Sequence, residues 1–161
     1  CEDIYMDEKY YEEQLIYYAT LYKLLGVIEM QATIVSLEPK TIKDHLLHAK
    51  NKGLKFPRLV FGDYKFTLAP DTGRNAGAVY VKHRVGGTDV YLGKVIANDF
   101  YSPFASPKDF SAITMILHRP IAAATLHGQK TGTCCCCGRE LTAEESINKM
   151  IGPICAEKYG F

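Results

Sequence analysis

No apolar run in this 161-residue chain approaches the ~20 residues that span a bilayer, so no transmembrane segment is expected. The opening residues, CEDIYMDE, are acidic, whereas a secretory leader starts with a basic segment ahead of an apolar one. A chain that begins on Cys1 instead of Met is read as processed, truncated or partial. Internal repeats, low-complexity tracts and Ser/Gly-rich linkers are missing, which leaves one boundary, near residue 130. The P-loop, H-E-x-x-H and G-x-S-x-G patterns are absent, as are the H-x-E and P-C-x-x-C motifs of zinc deaminases. Asp71, Asp99 and Asp109 fall in segments that read as loop or cap. No enzyme activity is expected.

What is there is ordinary in bulk. Apolar residues make up 47% and charged residues 23%, the balance of a soluble globular protein. A chain of this length buries about 68–70% of its unfolded surface, enough for a core without staples. The net charge of +1 hides an uneven distribution. Residues 1–38 hold eight acids against two bases, residues 39–95 hold eleven Lys and Arg against four Asp, and the remainder is balanced. A basic middle permits a polyanionic partner; neutralisation by the acidic start within the fold is the alternative.

Along the chain, residues 7–25 have a helical repeat in Tyr11, Leu15, Tyr18, Tyr22 and Leu25 and stop at Gly26. These tyrosines read as core and rim, or as an aromatic binding stripe. Residues 27–37 fit a strand or a second helix. Thr41 and Asp44 form an N-terminal cap pair for a helix that Gly53 closes. His45 and His48 on that helix either share a metal or face water. Residues 64–69, 77–83 and 88–97 are rich in β-branched and aromatic residues, and turn signals, Gly86-Gly87 among them, separate them. They predict a three-stranded antiparallel meander with Phe66, Leu68, Val79 and Val81 inward and Lys65, Tyr80 and Lys82 outward. Aromatics among lysines on a sheet are how many single-strand nucleic-acid binders are built; a solvated face is the plain alternative. Two helices follow, one capped by Ser106-Pro107 and one from Pro120 to Gly128.

Five of the six cysteines lie in residues 131–161, four of them in the run Cys134 to Cys137. Without a leader the default compartment is reducing and cytoplasmic, where clustered cysteines read as metal ligands before disulfides. Adjacent cysteines also cannot easily bridge, since a disulfide needs Cα atoms ~4.4–6.8 Å apart. Cys134-x-x-Cys137-Gly138 has the spacing of a metal knuckle. Thr142 and Glu145 suggest a capping box for a helix through Met150, and Cys155 then falls at the start of a last short helix. This is the layout of a treble-clef zinc module. A metal-free thiol-rich core and a redox-active thiol pair are the other readings.

Structural Zn2+ takes four ligands. The position three after Cys155 is Lys158, so His127 is the candidate fourth donor, with Cys135 and Cys136 as spare thiols pointing away. The expected fold is α+β. N-terminal helices occupy 1–53, the β-meander with its following helices 54–130, and a treble-clef-like zinc module 131–161. The expected nucleic-acid contacts are Lys65, Tyr80, Lys82, Arg84 and Lys94, with Arg139 beside the knuckle.

The end of the chain also resembles a known family. Thr131-Gly132, Cys134, Cys137-Gly138-Arg139, Leu141-Thr142, Ser146, Gly152-Pro153-Ile154-Cys155-Ala156 and Tyr159-Gly160 are similar to the C-terminal motif of uncharacterised phage and prophage proteins, a domain of unknown function. Tyr91-Leu92-Gly93-Lys94-Val95 resembles the last strand of their upstream meander. Met150 stands where those proteins carry the first Gly of G-x-G-P. The resemblance implies a zinc-binding phage accessory protein associated with nucleic acid, working in the host cytoplasm. The alternative is a phage effector that inhibits a host defence protein through its acidic, tyrosine-rich N-terminal helix. No membrane partner is expected.

Overall fold

The structure, a computed structural model, describes residues 38–161. The tyrosine-rich helix expected over 7–25 and the segment 27–37 lie outside the described residues. The first described element is α1 (Ile42–Asn51), and its cap is the one its sequence encodes. The Thr41 hydroxyl accepts from Asp44 N–H at 3.1 Å, and the Asp44 carboxylate accepts from Thr41 N–H at 2.9 Å. Ile42, Leu46 and Ala49 form its buried stripe.

Five strands follow: β1 (Arg58–Phe61), β2 (Tyr64–Leu68), β3 (Val79–Val85), β4 (Thr88–Ile96) and β5 (Asp99–Tyr101). They form one antiparallel meander in chain order. The sheet therefore has two strands more than the sequence pattern predicts. β1 is four residues long and starts directly after Pro57; β5 has only three residues, too few to show a period of two. The β4–β5 turn hides as well, because Ala97 and Asn98 adopt φ of 50° and 64° without a glycine to mark it. Gly86 and Gly87, both at positive φ, make the β3–β4 turn as expected.

One face of this sheet is the core. Leu59, Phe61, Phe66, Val79, Val81, Val95 and Phe100 are buried there, while Leu68 is only half-buried. They pack with α1, with α2 (Pro107–His118) and with α3 (Pro120–Thr131). Ser106 and Asp109 cap α2 reciprocally. α3 has no cap of its own; the Glu38 carboxylate accepts from Ile121 and Ala122 N–H and lies 3.6 Å from the buried Arg119 guanidinium.

Gly128 does not end α3, contrary to the pattern: the helix runs on to Thr131 and Gly132 closes it at φ 67°. Gly128 is small for another reason. A Cβ there would stand 2.6 Å from Met150 Cβ and 2.8 Å from the Met150 carbonyl oxygen.

Two short helices complete the chain, α4 (Glu144–Lys149) and α5 (Pro153–Tyr159). The expected Thr142–Glu145 box does not form. Ala143 is the N-cap and makes no side-chain bond. Met150 ends α4 in the left-handed region at φ 56°, a conformation that costs a non-glycine residue about 1–2 kcal/mol. Among the described residues no helix is long and apolar enough to cross a membrane.

Candidate metal centre and basic sheet face

The cysteine run sits on a small hairpin built by backbone hydrogen bonds. Thr133 bridges to Glu140, and Leu141 N–H donates to Gly132 O at 2.8 Å. At the tip Cys134 N–H donates to Arg139 O and Gly138 N–H to Cys134 O, both at 2.9 Å. Gly138 takes φ 73°, which lets the chain turn back beneath the sulfurs. The tip docks on the free edge of β1, where Cys135 O accepts from Val60 N–H at 2.8 Å. That bond covers a strand edge that would otherwise stand open.

Cys155 arrives from α5 as its third residue, after the N-cap Gly152 and the helical residues Pro153 and Ile154. The result is a sulfur cluster. The Sγ atoms of Cys134, Cys136 and Cys155 all lie within 4.8 Å of one another. Cys135 Sγ stands 3.8 Å from Cys136 Sγ, and Cys137 is the exposed member of the run. In a tetrahedral site with ~2.3 Å Zn–S bonds the sulfurs stand about 3.8 Å apart, so this cluster is close to the size of a metal site. All donors are soft thiols, which suits Zn2+ and disfavours hard cations such as Mg2+ or Ca2+.

The electrostatics point the same way. Hydrogen bonds from the thiols of Cys135, Cys136 and Cys155 hold Cys134 far below the ordinary thiol range, as a thiolate. The same bonds push its neighbours up: Cys135 and Cys136 rise, and Cys155 is pushed up to about 12, chiefly by its bond to Cys134. A cation bound among these sulfurs would displace their protons.

The structure sorts the sequence-predicted ligands differently from their spacing. Cys134 and Cys155 come together with Cys136, which was expected to point away; Cys135 and Cys136 are instead 1% and 4% exposed. His127 turns both ring nitrogens elsewhere. Its Nδ1 accepts from Gly62 N–H at 2.9 Å, and its Nε2 meets Thr133 Oγ1 at 3.2 Å. Burial lowers its pKa, and the ring serves as a strut between α3, the β1–β2 turn and the knuckle. His45 and His48 both reach the end of α5. Their Nδ1 atoms donate to Tyr159 O and Lys158 O, each at 2.8 Å, and Lys40 Nζ donates to Gly160 O at 3.1 Å. Together they hold the C-terminal end of the helix that carries Cys155.

The second candidate region is the other face of the sheet, on which no described helix packs. Register aligns Arg58, Thr67, Tyr80, Lys94 and Tyr101 in one row, and Val60, Lys65, Lys82 and Tyr91 in the next. Lys65, Tyr80, Lys82, Arg84 and Lys94 thus share one face. Arg139 lies apart, exposed on the knuckle hairpin. Asp89 pairs with Lys65 at 2.9 Å and with Arg84 at 3.1 Å, and these bonds hold its carboxyl below the usual range. Lys82 has no ion-pair partner among the described residues. Among the described residues Lys94 bonds only the neutral Asn75 side chain, at 3.3 Å. Tyr91 and Tyr101 are the members of this face that the sequence pattern did not single out, because a one-residue irregularity at Val81/Lys82 and a three-residue strand obscure their alternation.

Comparison with known proteins adds one finding. Residues 124–160, from within α3 through α5, match a family of unknown function (DUF6011). No curated protein and no solved structure matches the chain. The family match falls on the segment that builds the cysteine cluster.

Proposed function

We propose that this protein is a zinc-binding accessory protein of phage or prophage origin that binds nucleic acid through the outer face of its sheet. The observation that carries the binding reading is the register: it lines up five cations with tyrosines on one face, against two acids, Asp89 and Asp99. Zinc would be held by Cys134, Cys136 and Cys155, with Cys137 beside Cys155 as the fourth sulfur, and would lock the knuckle and α5 together. Its role there is structural, since four thiolates leave no open position for a substrate.

The test is binding of the full chain to a labelled oligonucleotide over a range of salt concentrations. Log affinity should fall linearly with log salt. Replacing Lys65, Lys82 and Lys94 together by Ala should weaken binding and reduce the slope by about two, at ~0.7 per single-strand phosphate contact. Unchanged binding by a folded triple variant would transfer the function to a protein partner, as in the effector reading.

A further inference from the structure

We infer that the ligand of the outer sheet face is a single strand whose bases stack on Tyr91 and Tyr101. The inference rests on the nucleic-acid reading above and adds which form of nucleic acid is taken and which residues read it. Tyr91 and Tyr101 are 45% and 44% exposed, large apolar rings left in water on a face that no described helix covers. Each is a direct cross-strand neighbour of a lysine: Tyr91 of Lys82 and Tyr101 of Lys94. These are the two lysines of the face that no acid neutralises among the described residues.

The aromatic positions are also held in place. Tyr80 packs edge-on against Tyr91, with ring centroids 5.8 Å apart and planes at 83°. Asn75 reaches in from the β2–β3 loop, donating to the Tyr80 hydroxyl at 3.2 Å and accepting from Lys94 Nζ at 3.3 Å. One amide thereby orients both the ring that buttresses Tyr91 and the ammonium beside Tyr101. The lysines would take phosphates while the rings take base faces.

An undistorted duplex offers these rings no base face. Its base faces are stacked inside, and its major groove admits a helix or a two-stranded ribbon, not the face of a five-stranded sheet. An unstacked strand offers a π-face at every nucleotide whatever its sequence.

The experiment compares a labelled oligo(dT) or oligo(U) strand with a duplex of equal length at one salt concentration. Variants are Tyr91→Ala with Tyr101→Ala, the same pair to Phe, and the triple lysine variant. The single strand should bind more tightly than the duplex. The double Ala variant should lose roughly tenfold or more in single-strand affinity with an unchanged salt slope, and the Phe pair should retain it. An inert double Ala variant alongside a weakened lysine variant would overturn stacking and leave phosphate binding standing. Equal or tighter duplex binding would also overturn it. Binding of neither form would remove the nucleic-acid reading itself, and stacking with it.

Discussion

Cys136 illustrates how much a single side chain depends on its fold. In a run of four cysteines, spacing alone cannot say which sulfurs converge, and the knuckle spacing favours Cys134 with Cys137. The turn at Gly138 instead rotates Cys136 inward, to within 4.8 Å of Cys134 and Cys155. Cys136→Ser should therefore reduce bound metal from about one zinc per chain to a small fraction, read by elemental analysis after chelator competition. Cys135→Ser should keep the stoichiometry. Metal retained by Cys136→Ser, or no metal in wild-type protein prepared without chelator, would end the assignment.

At the scale of elements, α1 and α5 are joined by side chains that cap a helix end rather than by apolar packing alone. His45 is wholly buried, stacks on Phe161 at 4.0 Å, and donates from Nδ1 to Tyr159 O, leaving Nε2 buried with no hydrogen-bond partner. Protonation would place an N–H there that nothing accepts. Burial accordingly lowers its pKa from the ordinary 6.5, against the raising effect of the Tyr159 carbonyl and of Glu38 and Asp44.

A histidine kept neutral in the fold takes up a proton more readily in the unfolded chain. The stability it contributes is full above about pH 6.5 and falls as pH drops below that value toward the folded-state pKa. Urea midpoints should fall from pH 7 to pH 5, and His45→Asn, which keeps the donor near Nδ1 but cannot titrate, should show a smaller fall. Equal falls in the two proteins would locate the pH dependence elsewhere, in His118, His127 or the cysteines.

For the whole molecule, the cysteine segment is part of the main core. Cys134, Cys135 and Cys136 are buried with Leu59, Phe61 and the rest of the sheet's inner face, and Val60 bonds the run directly. Losing metal should therefore loosen the sheet as well as the knuckle. A strong chelator is expected to lower the thermal midpoint by roughly 10 °C or more, in one transition. Hydrogen exchange should show the Val60 amide losing protection together with those of Cys134 and Gly138. Loss of protection confined to residues 131–161 would make the knuckle an independent module.

Local signals determined a good part of this protein. The Thr41–Asp44 cap pair, the Ser106 cap with Pro107, the Gly86-Gly87 turn and the three long strands were all legible, because each is encoded by neighbours a few residues apart. The inward set Phe66, Val79 and Val81 followed from alternation for the same reason. The misreadings occurred where a residue answers to something distant in sequence. Gly128 is small because Met150 presses on it, not because a helix ends there. His127 bonds Gly62, sixty-five residues away, as well as Thr133. β1 and β5 are too short to carry a pattern and exist because β2 and β4 offer them hydrogen-bonding edges. Which sulfurs meet, and which tyrosines share a face with Lys82 and Lys94, is set by a turn and by strand register. Only tertiary packing fixes those, since a shift of one residue turns a side chain to the opposite face.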